Sequence, residues 1–480
     1  MLFNSLEFAI FFPVVTAIYF MLSQRWRVHF LLAASCFFYM AFIPIYILIL
    51  AVTILIDYVA GIYLDRIQDP KKRKTLLWVS ILSTCAVLFV FKYFNFFIGS
   101  FVGVAGILGW HISHRALGII LPIGLSFHTF QSLSYVVEVY RRNQKSERNF
   151  IVYATYVMFF PQLVAGPIER PQNLLHQFRE WHAFNYVRVT EGLKRMGWGF
   201  FKKLVIADRL ALYVNDVYSA PRNFNGLQLT LATVFFAYQI YCDFSGYSDI
   251  AIGAAQVLGF KLMENFNTPY YSLSVSEFWR RWHISLSTWF RDYLYLPLGG
   301  SRVSKQRHIL NLMITFAVSG LWHGANWTYV LWGVLNGTYL IVGWLTKDFR
   351  NRFYEAIGMP EHTFARKAIM LLSTFTLTCV AWILFRARNI GDALYVFTHL
   401  ASGWNFHKIA TEQFLLRQLP VAFMAILALE LAQLLNGSGS VTTYVKEMPM
   451  ATRWALYASL VMAVLMFGVY KQTQFIYFQF

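Results

Sequence analysis

Twelve histidines are the first residues to sort, because imidazole titrates near neutrality and serves as base, acid or ligand. His29, His111, His114, His176, His182, His308, His362, His399 and His407 fall in loops or at the ends of apolar runs and read as interfacial or solvated side chains. His128, His283 and His323 do not. His323 lies in AVSGLWHGAN (317–326), inside a nearly charge-free stretch from 309 to 345. An ionisable group at membrane depth is costly and is usually kept for function. On a continuous helix Ser319, His323 and Asn326 would share one face, and Gly320 and Gly324 would let a ligand or a second backbone come close. A neutral imidazole there can take the proton of a hydroxyl nucleophile. The bland alternative is a hydrogen-bonded histidine closing a helix–helix contact.

His283 lies in SEFWRRWHISLSTWFRDYLYLP (276–297). Helical spacing predicts two faces. Phe278, Trp282, Leu286, Trp289 and Tyr293 fall on one, and Arg280, His283, Ser287 and Arg291 on the other, with Glu277 placed to pair with Arg281. The polar stripe would suit an anionic ligand such as the phosphates of a coenzyme. It would equally suit an amphipathic helix whose arginines meet lipid headgroups. Asp243 and Asp249, in YCDFSGYSDIAIG, interrupt an apolar region. Such acids can mark a proton path, but Asp243, Ser245 and Ser248 are read first as helix caps. His128 shares a run with Glu138 but not its face, and reads as structural. No His or Cys partner stands at metal-ligand spacing, so no metal site is expected. Walker A, GxSxG, HExxH and CxxC patterns are absent from the sequence, which removes the usual signatures of ATP-driven transport, α/β-hydrolase chemistry and zinc proteolysis.

The elements that must position these residues are apolar runs. They fall at 3–22, 28–42, 45–64, 76–98, 117–139 and 150–165, then at 196–206, 227–241, 250–260, 309–321, 327–345, 368–385, 416–435 and 454–469. Several are too short for a simple span, and short runs survive at membrane depth only as broken helices covered by protein or lining a cavity. This predicts an all-α, polytopic membrane protein with about 11 transmembrane helices plus re-entrant and interfacial ones, in a single integral membrane domain over 1–480. The polar stretches 166–195 and 261–308 mix charge with aromatics, as surface-lying elements do. No internal repeat supports an inverted-repeat transporter.

Composition agrees. The 480 residues are 58% hydrophobic and 13% charged, with a mean hydropathy of +0.48. A soluble domain carries about 25% charged residues. Disorder, coiled coil and a soluble globule are excluded, and so is a disulfide scaffold, since each of the four cysteines sits in an apolar run. The net charge of +18 would suggest nucleic acid in a soluble protein. Here the cations cluster between apolar runs at Arg25–Arg27, Lys71–Lys74 and Arg141–Arg148, so no nucleic-acid partner is expected. That bias puts the N-terminus outside the cytoplasm. Residues 1–20 carry Glu7 and Pro13 and no cationic leader, so they read as a retained first span.

Several strings carry a resemblance. FFPQLVAGPIERP (159–171), EFWRRWHISLSTWFRDYLYLPLGGSR (277–302) and GLWHGANWTYVLWG (320–333) resemble bacterial membrane-bound O-acyltransferases, in particular the alginate O-acetyltransferase branch. The opening MLFNSLEFAIFFPVV and the closing QFIYFQF are similar to the same branch, so the likeness runs over essentially the whole chain. The D-alanyl transfer protein of teichoic acid synthesis shares related strings.

The resemblance implies helices around a central tunnel, a thioester donor used from the cytoplasm and an acceptor outside. It matches His323 to the family's catalytic histidine and His283 to a second active-site position. With the readings above, it implies an acetyltransferase of the bacterial inner membrane. Acetyl-CoA is the expected donor and no cofactor is permanently bound. His323 serves as general base, and Arg280, Ser287 and Arg291 form a donor site. Ser319, Asn326 and Asp243 are further tunnel candidates. The expected acceptor is an exported, alginate-like polysaccharide or an extracytoplasmic acetyl-transfer protein. D-alanyl transfer to teichoic acid, acetyl transfer to peptidoglycan and, in another class, solute transport without chemistry remain the alternatives. Membrane lipids are the remaining expected partner.

Overall fold

Helix boundaries follow local chemistry. Ser5 opens the Leu6–Met21 helix by accepting the Phe8 N–H. Asp69 opens the Pro70–Leu88 helix by accepting the N–H groups of Lys71 and Lys72, with Pro70 at the position where no N–H is needed. Ser304 and Asn389 do the same for Lys305–His323 and Ile390–His399. Each such cap is worth about 1 kcal/mol.

The computed structural model describes residues 1–110, 112, 116–119, 121–164, 166–405, 413–436, 445–470 and 475–476. His111, His114 and His407, and all of the closing string except Phe475 and Ile476, lie outside the described residues. Among the described residues the fold is all-helical, with no strand. Six helices among the described residues are long and apolar enough to cross a membrane: Pro44–Arg66, Pro70–Ile107, Trp327–Leu345, Phe364–Arg386, Gln418–Leu435 and Met450–Phe467. The expected larger number of spans also counted shorter apolar helices, of which Leu6–Met21 is one.

One compact unit comprises Met1–Leu193 with Ala251–Met263. Its Ile47–Arg66 helix exposes Leu48, Val52, Leu55 and Val59 at helical spacing, a stripe suited to lipid. Its other side packs on Leu125–Tyr140, where Gly61 admits the Tyr135 ring; a Cβ at Gly61 would lie 2.6 Å from that ring. Asp57, buried in the same helix, accepts hydroxyl hydrogen bonds from Ser80 at 2.8 Å and Thr84 at 3.0 Å. His128 is buried, and its ring lies edge-on to Tyr39.

The other unit comprises Lys194–Ile250 with Glu264–Phe480. The expected separate runs 227–241 and 250–260 form one helix, Gly226–Leu258. Its acids do not cap or break it. Asp243 sits mid-helix and pairs with Lys203 at 2.7 Å, while Asp249 pairs with Lys202 at 2.6 Å and Arg195 at 2.9 Å. Cations from the Tyr186–Phe200 helix and the π-helical turn Phe201–Ala207 thus neutralise charges that would otherwise end the helix.

Candidate active site

His323 is the last residue of the Lys305–His323 helix, and Gly324 ends that helix in an extended conformation. The chain turns back into Trp327–Leu345, and the two helices pack as a hairpin through Gly320 and Gly333, whose Cα atoms approach closely. A Cβ on Gly320 would lie 2.2 Å from the Tyr329 carbonyl oxygen. The small residues therefore set how deep His323 sits. Its ring is walled by Trp322 and Trp332, both with centroids at 4.9 Å, and by Phe385 at 5.3 Å.

His283 is reached differently from the expected continuous helix. Trp282 is extended and His283 adopts φ +42, in the left-handed region, so the segment splits into Val275–Arg281 and Ile284–Phe290. The break has a tertiary cause: the carbonyl of Asn265 takes the Ile284 N–H at 2.9 Å and the N–H of Asn267 reaches the Arg281 carbonyl at 2.9 Å. The break corrects the polar stripe. His283 is buried, Arg280 and Arg291 are exposed, and Ser287 is half-buried with its hydroxyl on the Trp282 carbonyl. Arg291 pairs with its neighbour Asp292. The apolar side holds better: Phe278, Trp282, Leu286 and Trp289 are all buried, and Glu277 binds Arg281 at 2.8 Å as spaced.

The two histidines meet one indole. The Trp322 centroid is 6.5 Å from His283 and 4.9 Å from His323, and Phe244 closes on His283 edge-to-face at 4.5 Å. Trp282, Trp332 and Trp382 continue the wall. Burial in this wall pushes the His283 imidazole down to about 3, so it is neutral at physiological pH. A neutral, buried imidazole in such a cluster can accept the proton of a hydroxyl nucleophile.

The remaining predicted residues separate. Ser319 is buried in the same helix as His323. Asn326 does not share that helix, because Gly324 ends it; its side-chain oxygen instead caps Trp327–Leu345 by accepting the Thr328 N–H at 3.0 Å. Asp243 joins Asp208 around Lys203 and accepts the Ile476 N–H at 2.9 Å, which ties Phe475 and Ile476 of the closing string to this helix. Phe475 packs on Phe244, the ring that also touches His283. Sequence reasoning missed Asn265 and the lysine partners of the acids. Their only local signal was a polar residue inside an aromatic-rich stretch.

The sequence model of the MBOAT, membrane-bound O-acyltransferase family matches residues 80–386, a segment that contains both histidines. The chain belongs to that family. Membership, with the six apolar helices, makes it a multi-pass membrane O-acyltransferase. The chain is 36% identical over 441 residues to the "Probable alginate O-acetylase AlgI" of Pseudomonas putida, covering 90% of this chain and 87% of that relative. It is 34% identical over 392 residues to the "Peptidoglycan O-acetyltransferase" of Helicobacter pylori, covering 76% and 72%. A more distant relative, the "Teichoic acid D-alanyltransferase" of Streptococcus thermophilus, is 27% identical over 282 residues, covering 55% and 68%.

Proposed function

We propose that this O-acyltransferase moves an acetyl group from acetyl-CoA in the cytoplasm to a hydroxyl outside, on an exported, alginate-like polysaccharide or on an extracytoplasmic relay protein. His323 removes the hydroxyl proton as the oxygen attacks the thioester carbonyl, and the CoA thiol leaves. His283 is the second imidazole of the pair. The exposed Arg280 and Arg291 are the cations available to the donor's phosphates, now as separate contacts instead of one helical stripe. The observation that carries this reading is the convergence of His283 and His323 on Trp322 within one buried aromatic cluster.

Acetyl-CoA is large and polyanionic and cannot cross the hydrocarbon core, so donor and acceptor must meet in a passage open to both faces. About 11 spans around such a tunnel, in the bacterial inner membrane, is the arrangement we infer from the short apolar runs. The identity to a peptidoglycan O-acetyltransferase supports peptidoglycan as the second acceptor reading. Family membership weighs against D-alanyl transfer less than against a transporter without chemistry, since D-alanyl transferases are relatives too.

Proteoliposomes test it. Labelled acetyl-CoA is supplied on the cytoplasmic face and polysaccharide, peptidoglycan or candidate relay protein only on the other. Label is expected on one outside acceptor, and His323→Ala should reduce transfer by about 10²–10⁴-fold at normal recovery. Transfer only when both substrates share a face would sink the cross-membrane path. Near-normal activity in well-folded His323→Ala would remove His323 as the base.

A further inference from the structure

The polar group beneath His283 determines more than its position. Asn265 is 1% exposed and lies between the Gly226–Leu258 and Val275–Arg281 helices in the chain. Its side-chain oxygen Oδ1 meets the Ser285 backbone N–H at 3.3 Å, the Ser285 hydroxyl at 2.8 Å and His283 Nδ1 at 3.1 Å. Its Nδ2 donates to the Ser248 hydroxyl at 3.2 Å. A backbone N–H can only donate, so the atom facing Ser285 must be the amide oxygen; the flipped amide would set NH₂ against N–H. That same oxygen faces His283 Nδ1. An amide oxygen only accepts, so Nδ1 carries the proton. In a neutral imidazole the lone pair then belongs to Nε2.

The backbone reinforces this hold. Asn265 and Asn267 pin the chain on both sides of His283 through the Ile284 and Arg281 peptide groups. His283 itself sits at φ +42. A non-glycine residue in that region is strained and persists only where its surroundings over-determine it. One loop therefore both bends the chain to bury the ring and selects which ring nitrogen is basic.

We propose that Asn265 is a positioning residue of the active site, which locks His283 in the Nδ1–H tautomer and makes Nε2 the nitrogen that serves the reacting groups. This rests on the assignment of His283 to the catalytic pair.

The test reads the tautomer directly. In ¹⁵N NMR of histidine-labelled full-length protein in nanodiscs, the His283 signals are identified by their loss in His283→Gln. A protonated Nδ1 and an unprotonated Nε2 are expected, and the reverse pattern would overturn the proposal without any variant of Asn265. Kinetics supply the second readout. Asn265→Leu removes the acceptor, and kcat should fall by about 10²-fold or more with the acetyl-CoA KM within about twofold. Asn265→Asp keeps an acceptor at Nδ1 and adds negative charge. It should retain much more activity than Asn265→Leu and move the acid limb of the kcat–pH profile to higher pH. Wild-type kcat and pH profile in both variants would refute the positioning role. A fully active His283→Gln enzyme would instead remove His283 from the catalytic pair, overturning the functional part while the tautomer measurement still stands by itself.

Discussion

The depth of His323 is set by a contact that a single methyl group should disturb. Gly320 lies one helical turn before His323, against the Trp327–Leu345 helix. A Cβ there would stand 2.2 Å from the Tyr329 carbonyl oxygen and 3.2 Å from the Gly333 Cα. Ordinary non-bonded contacts are about 3.5 Å or a little less, so Gly320→Ala must part the helices by roughly 1 Å. Neither obstacle is a flexible side-chain end; both are backbone. Overpacking of this kind costs about 1–3 kcal/mol. A misplacement of about 1 Å at a catalytic group can cost about 10²-fold in rate. Gly320→Ala should therefore lower both the thermal unfolding midpoint and kcat, the latter by about 10²-fold, with little change in the donor KM. Gly343→Ala in the partner helix is the control, because a Cβ there meets nothing within 4 Å; it should match wild type in both assays. The measurements are acetyl transfer in proteoliposomes and unfolding followed by tryptophan fluorescence. Wild-type kcat and midpoint in Gly320→Ala would refute the argument that this contact holds His323 in place.

Two further outcomes follow from buried charges. Lys203 contacts Asp208 at 2.8 Å and Asp243 at 2.7 Å, all three deeply buried, so Lys203→Met should cost about 3–5 kcal/mol and sharply reduce recovery of folded protein. Adding Asp243→Asn should restore part of the loss, and a wild-type midpoint in the single variant would count against the ion cluster. Glu169 accepts the Met263 N–H at 2.6 Å, and burial raises its carboxyl to about 7 from the ordinary 4.5. Between those values the folded chain keeps a proton that the unfolded chain releases, so this group's contribution is fully present below about 4.5 and is lost as pH rises through about 7. Glu169→Gln should flatten the unfolding midpoint across that window, and an unchanged pH slope would show that Glu169 is not its source.

Much of this protein is legible in its residues. Apolar runs foretell the membrane helices, because burying twenty apolar side chains in lipid depends on composition alone. Local caps at Ser5, Asp69 and Ser304 and the Glu277–Arg281 pair act within one helical turn, so their spacing suffices. The strings around His283 and His323 already point to the acyltransferase family. What periodicity could not foresee are the features made by partners far away in the chain. The helical stripe through Arg280, His283, Ser287 and Arg291 dissolves because Asn265 and Asn267 offer hydrogen bonds at Ile284 and Arg281 that a continuous helix would forgo. Asp243 stays inside an unbroken helix because Lys203, from another helix, supplies the countercharge. The orientation of the His283 ring rests on an amide 18 residues earlier. Local sequence sets which segments can be helical, but where a helix breaks, and which nitrogen of a buried imidazole is basic, depends on hydrogen bonds and charges that only packing brings within 3 Å or so.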